Sequence, residues 1–129
     1  MDVEQVVFMW REGAKQKWVV ARHAFQTRDY PESLFWGHLY IEKLLKALVV
    51  HRTGKHASPI HKLTKLAQAA NLELTPEMTK ILIEITTFNI ETRYTEEKAE
   101  LKSKFTREYC QTWLKEIGKV GKWLESQFT

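Results

Sequence analysis

The apolar residues of this chain recur at steps of three and four, and nowhere do they alternate. Val3, Val6, Val7, Trp10, Ala14, Trp18, Ala21 and Phe25 fall on one side of a helix running from about Val3 to Gln26. A strand would place every second residue on one side, and no such run bounded by turn residues occurs. Each segment must therefore bury one stripe against another helix, which limits the chain to an all-α fold. Gly13 interrupts the first stripe, at a cost of about 1 kcal/mol relative to alanine.

Punctuation residues divide the rest of the chain. Thr27-Arg28-Asp29-Tyr30 breaks the pattern, and Pro31 suits the first turn of a second helix running to about His51. Leu34, Phe35, Ile41, Leu45, Leu48 and Val49 form its apolar face, and Thr53 to Ala57 is an exposed loop. Ser58-Pro59 pairs a hydroxyl N-cap with a first-turn proline, so a short third helix is expected from there, with Leu63, Leu66, Ala67 and Ala70 inward and Asn71 as its stop. Thr75-Pro76 repeats the start signal for a fourth helix carried by Met78, Ile81, Leu82, Ile85 and Phe88. That helix should fray or bend between Asn89 and Thr95. The last segment, about Glu96 to Ser126, carries Leu101, Phe105, Trp113, Ile117, Val120 and Leu124 at helical steps. It is either one helix or two broken near Thr106.

At 129 residues, 43% hydrophobic and 28% charged, the chain reads as a single globular domain over 1–129 with no need of disulfides or metal. The lone Cys110, the acidic Met1-Asp2-Val3-Glu4 start and the absence of any apolar run near the roughly 20 residues of a bilayer span point to a cytoplasmic protein away from membranes. The net charge of +4 permits phosphate contacts. Basic residues of the last segment (Lys102, Lys104, Arg107, Lys115, Lys119, Lys122) alternate with Glu100, Glu108, Glu116 and Glu125, which fits ordinary surface pairing. No Gly-rich phosphate loop, nucleophile triad signature, zinc spacing or carboxylate cluster occurs, so no cofactor or metal is expected. The five tryptophans should mostly lie in the core, with any remainder at an interface.

Four stretches, taken in order, resemble the HEPN family, named for a nucleotide-binding domain of higher eukaryotes and prokaryotes. They are Tyr30-Pro31-Glu32-Ser33-Leu34 running into Glu42-Lys43-Leu44-Leu45-Lys46-Ala47-Leu48, then Pro59-Ile60-His61-Lys62-Leu63, then Asn89-Ile90-Glu91-Thr92-Arg93-Tyr94, and a tail helix from Trp113 to Leu124. The resemblance covers nearly the whole chain. It implies an up-down four-helix-bundle core with one additional short helix, usually dimeric. It also implies either pairing with a minimal nucleotidyltransferase, as in toxin–antitoxin systems, or metal-independent ribonuclease activity. The ribonuclease branch places a histidine after an arginine with four to six residues between them. Here Lys98, Ala99 and Glu100 occupy those positions after Arg93, and no other arginine has a histidine at that distance. Lysine is a poor proton acceptor at neutral pH, alanine cannot act, and Glu100 lies in a strongly charged stretch.

Arg93 and Tyr94 remain the candidates for a phosphate or nucleotide site, the first by bidentate hydrogen bonding and the second by stacking. The structural alternative is an Arg93 paired with a helix carboxylate and a half-buried Tyr94. Asn89, one turn before Arg93, shares a face with it or caps its helix. His61 either meets an anion at a helix start or fixes the entering loop by a hydrogen bond. His38 and Glu42, four apart, are an acid–base pair, half a metal site, or a structural pair. His51 and His56 flank a loop and are expected to be exposed. The leading expectation is a non-catalytic, dimeric nucleotide- or RNA-binding module. The alternatives are a divergent ribonuclease combining Arg93 with His61 or His38, and a purely structural helical adaptor.

Overall fold

Helix α1 (Val3–Gln26) starts where Asp2 and Gln5 cap each other: the Gln5 N–H donates to Asp2 Oδ1 at 2.8 Å and the Asp2 N–H to Gln5 Oε1 at 3.0 Å. It ends in a tight turn through Arg28, whose φ of 67° is left-handed and costs a non-glycine residue about 1 kcal/mol. The Thr27 hydroxyl and the Asp29 carboxylate close that turn at 2.7 Å. Helix α2 (Tyr30–Thr53) then returns antiparallel along α1, so that Val7 packs near Ala47 and Val50 and Trp18 stacks on Tyr40 at 4.8 Å. The computed structural model describes residues 1–129 and contains no strand.

The remaining elements are α3 (Leu63–Ala69), α4 (Pro76–Glu91), a 3₁₀ turn (Thr92–Tyr94), α5 (Ala99–Lys104) and α6 (Arg107–Glu125). Residues Leu44 to Val50 of α2 are buried without exception, because α1, α3, α4 and α6 all pack on this helix. The expectation of one apolar face on α2 thus understates its burial: Lys46, which the periodicity places at the flank, lies inside. Helix α6 runs parallel to α2, with Gly37 against Ile117, Gly121 against Tyr40 and His51 against Phe128. Helix α4 runs the other way, its end reaching Phe35 through Arg93 while Arg52 bonds the Asn71 carbonyl before it at 3.2 Å. The four long helices therefore alternate in direction, an up-down bundle with two short helices and the 3₁₀ turn added.

Two boundaries differ in detail from expectation. The third helix begins at Leu63, not at Ser58-Pro59. Its first free N–H, that of Leu63, is taken by the Thr86 hydroxyl of α4 at 3.2 Å, so the cap comes from a neighbouring helix rather than from Ser58. The last segment is two helices. Phe105 turns into the core against Phe88 at 6.1 Å, and the Thr106 hydroxyl caps α6 at the Tyr109 N–H, 3.2 Å away. Asn71 is left-handed at φ 58°, and Thr75 caps α4. None of the five tryptophans is fully buried; all are half-buried, and Trp10, Trp18, Trp113 and Trp123 pack against the core.

The glycines yield a prediction of opposite signs. A Cβ on Gly121 would overlap the Tyr40 ring and hydroxyl, and that ring is held from behind by Trp18. Gly121→Ala should therefore destabilise by about 1–3 kcal/mol despite better helix propensity. A Cβ on Gly13 meets only the flexible Lys43 chain at 3.4 Å, so Gly13→Ala should stabilise by up to about 1 kcal/mol. Urea denaturation of both variants checks the contrast.

Candidate functional site

Spacing of four puts His38, Glu42 and Lys46 in one row along α2. Glu42 is 5% exposed, and both its oxygens are engaged. Oε1 accepts from His61 Nδ1 at 2.9 Å and Oε2 from the Lys46 ammonium at 3.1 Å. Since a carboxylate only accepts, the His61 proton facing it sits on Nδ1, leaving Nε2 as the ring's other nitrogen. His61 is 57% exposed at its side chain, so this ring links the buried charge to the surface.

His38 is fully buried. Its Nε2 lies 3.4 Å from the His61 carbonyl oxygen and 3.6 Å from Glu42 Oε1, while its Nδ1 has no hydrogen-bond partner. Burial lowers its pKa below the ordinary 6.5, partly offset by the Glu42 charge and the bond to the His61 backbone. The ring is therefore neutral at pH 7, with its proton on Nε2. Nearby, the Lys43 and Lys46 ammonium groups stand 5.0 and 5.5 Å from the Trp10 ring centroid. Burial and the Lys17 charge lower the pKa of Lys43.

Arg93 belongs to the 3₁₀ turn that follows α4. Its guanidinium lies 5.2 Å over the Phe35 ring and donates one long bond, 3.4 Å, to Asn89 Oδ1. The side chain is exposed and enters no ion pair. The nearby Glu91 carboxylate is claimed by Lys104 at 2.9 Å, as is Glu84 at 3.1 Å. Desolvation opposes the charge on Lys104, but its hydrogen bonds to Glu91 and Glu84 outweigh it and raise the pKa. Tyr109 donates its hydroxyl to Glu84, and burial together with that carboxylate raises its pKa strongly. Tyr94 is 46% exposed and borders a hollow of about 290 Å³ lined by Ile90, Glu91, Lys98, Glu100 and Leu101.

The sequence matches the HEPN domain family model over residues 7–127. The chain belongs to the HEPN family. Its fold is similar to that seen in the crystal structure of TT1696 from Thermus thermophilus, with a TM-score of 0.79 at 21% identity over 93% of this chain and 96% of that one. No curated protein matches the sequence. At the level of the family, this is a nucleotide- or RNA-related module. No helix is long and apolar enough to cross a membrane.

Within this HEPN domain the expected site residues separate into two groups. His38, Glu42 and His61 come together, but around a buried carboxylate. The half-metal-site reading of His38 and Glu42 is not supported: Lys46 and His61 occupy the Glu42 oxygens, and no group of three His, Cys, Asp or Glu residues is placed to hold a metal ion. Arg93, Asn89 and Tyr94 form the second group. The cap reading of Asn89 is corrected, since α4 continues to Glu91 and Thr92 is its C-cap. The carboxylate pairing offered for Arg93 is also absent. His61 precedes α3 rather than opening it, and its ring bonds Glu42. His51 packs against Phe128 at 5.5 Å with the two rings tilted, and it remains exposed, as is His56. Lys46 and Phe35 were missed as site residues. The Glu42–Lys46 spacing of four signals the first, whereas nothing local links Phe35 to Arg93.

Two measurements test the buried cluster. Glu42→Gln leaves Lys46 buried without its counter-charge and should cost about 3–5 kcal/mol in urea denaturation, against about 1 kcal/mol or less if the cluster were well solvated. The depressed His38 pKa means that the unfolded chain takes up this proton first as pH falls. Its contribution to stability is complete above pH 6.5 and declines toward the folded-state pKa, with a slope of at most about 1.4 kcal/mol per pH unit. His38→Gln should flatten the stability profile between about pH 5 and 6.5; an unchanged slope there would contradict the assignment.

Proposed function

We propose that this HEPN domain is a non-catalytic binding module that takes a nucleotide or RNA phosphate at Arg93, works as a homodimer and acts beside a minimal nucleotidyltransferase, as in toxin–antitoxin pairs. The observation that carries the reading is the state of Arg93. An exposed guanidinium, laid over an aromatic ring and lacking any carboxylate partner, keeps most of its donors for an incoming oxyanion. Asn89 biases its orientation. Tyr94 and the hollow beside it offer a stacking surface for a base, and the competing Glu91 carboxylate is neutralised by Lys104. The nucleotidyltransferase partner and the cytoplasmic setting rest on the family resemblance and on composition.

A specific observation keeps a second reading, a divergent ribonuclease. His61 has one nitrogen held by a carboxylate and the other unclaimed, an arrangement suited to proton transfer. His38 is a poor candidate for that role because it is wholly buried. Against the enzyme stand Lys98, Ala99 and Glu100 at the positions where the ribonuclease branch has its histidine. Losing general acid–base help costs roughly a hundredfold to ten-thousandfold in rate.

The test uses metal-free protein with labelled single-stranded RNA and with nucleoside triphosphates. The expected outcome is binding without cleavage, weakened at least about tenfold by Arg93→Ala through loss of a charge-assisted contact and little changed by His61→Ala. Robust cleavage abolished by both substitutions would replace the binding module with the enzyme.

A further inference from the structure

Helices α1 and α6 both pack on α2 but barely touch each other, and the two ends of the seam between them differ. At one end Arg11 and Glu125 meet across it at 2.6 Å, opposite charge on opposite charge. At the other end the seam opens into a hollow of about 280 Å³. Trp18 and Phe25 of α1 and Leu114 of α6 give it apolar walls. Trp18 is held in place by stacking on Tyr40 at 4.8 Å. A Cβ added to Gly118 would stand 3.3 Å from the Trp18 ring, so this glycine leaves that wall its room. None of the lining residues belongs to the group around Arg93 or to the hollow beside Tyr94.

The charges around this hollow are all of one sign. Arg22 lines it from α1 and Lys115 from α6, while Arg107 stands 5.9 Å over the ring of Phe25, one of its walls. All three are exposed, and none enters an ion pair within the chain. The sequence explains why. No carboxylate stands three or four places from any of them, the spacings at which helical charges meet. Glu116, next to Lys115, is paired with Lys119 at 3.5 Å. The surface pairing expected of the basic residues in this last segment is therefore absent at Arg107 and Lys115. Like charges on the two sides of an apolar hollow do not draw it shut, whereas an anion between them would.

Walls and rim together specify the occupant. Aromatic walls favour a ring, which can meet Trp18 and Phe25 edge to face. Unpaired cations favour one anionic head. The volume lies at the small end of the range for ligand pockets and limits the body to about one ring. A bare phosphate would leave the walls in water, and a phosphate backbone has no apolar part to cover them. We propose that the hollow between α1 and α6 is a binding site for a small aromatic carboxylate, its ring against Trp18, Phe25 and Leu114 and its carboxylate between Arg22 and Lys115. The bound molecule supplies the negative charge that Glu125 supplies at the other end of the seam, and so ties the C-terminal half of α1 to α6. This site is separate from the one at Arg93 and does not depend on it.

The experiment is an NMR titration of the isotopically labelled full chain with phenylpropionate and, in parallel, with phenylpropanol, phenylpropylamine and inorganic phosphate. Phenylpropionate should produce saturable shifts of the Trp18 indole N–H and of the Gln111 side-chain amide, which also lines the hollow, at about millimolar concentration or below. The other three should bind at least about threefold more weakly. Arg22 and Lys115 are exposed, so reversing their charges should leave the fold intact, which circular dichroism checks. Arg22→Glu and Lys115→Glu should each weaken phenylpropionate binding at least about threefold. The double variant should lose phenylpropionate and gain phenylpropylamine. That exchange is the decisive arm, because a disturbed fold would not create affinity for a cation. No saturable shift at Trp18 and Gln111 up to about 10 mM phenylpropionate would overturn the site. So would alcohol or phosphate binding as tightly as the carboxylate, single variants that bind it unchanged, or a double variant without affinity for the amine.

Discussion

A carboxylate inside a helical bundle is costly unless every lone pair is used, and Glu42 is the point from which much of this structure is organised. It draws Lys46 inward against Trp10 and holds His61 at the end of the long loop after α2. With that loop anchored, Leu63 reaches the Thr86 hydroxyl and α3 sets off along α4. The same anchoring brings the His61 carbonyl over His38, whose burial keeps it neutral. One ionised group thus ties together the central helix, the loop and the two helices beyond it.

The consequence for function is a division of labour between polar groups that look alike in the sequence. Those pointing into the bundle satisfy one another, with the exception of His38 Nδ1. Around α4 and α5 the acidic groups are likewise consumed, Glu84 by Tyr109 and Lys104 and Glu91 by Lys104. Arg93 is left outside both networks. Its guanidinium carbon stands over Phe35, and its only side-chain hydrogen bond is the long one to Asn89. An enzyme needs a proton-transfer group beside such a cation. His61 is the candidate, but its bond to Glu42 already has a structural use.

Helix periodicity was enough to read the four long helices, because each long segment carries its own stripe at three- and four-residue steps. Residue chemistry was enough for the Asn71 stop and the Thr75 cap, which are local. The features that escaped the sequence depend on other segments. Ser58-Pro59 has the chemistry of a helix start, but the start moved to Leu63 because Thr86 supplies its cap from a distance. Lys46 reads as a surface lysine until α1 is laid across it with Trp10. His38 and Glu42 were legible as a pair, yet their burial was not, since burial on all sides of α2 arises only when four elements pack on it. Arg93 could be singled out by its resemblance to the family pattern, whereas its freedom from carboxylates required knowing that Lys104 takes Glu91.

The central claim is that ligand meets the outward Arg93 group and leaves the Glu42 cluster undisturbed. The most direct measurement is a side-chain NMR titration of isotopically labelled protein with a nucleoside triphosphate or a short single-stranded RNA. It would follow the Arg93 Nε–H, the Tyr94 ring and the His38 and His61 imidazoles together. Saturable shifts at Arg93 and Tyr94, with His38 unmoved, are the expected result. Saturable shifts confined to His61 and His38, with Arg93 unchanged, would contradict it.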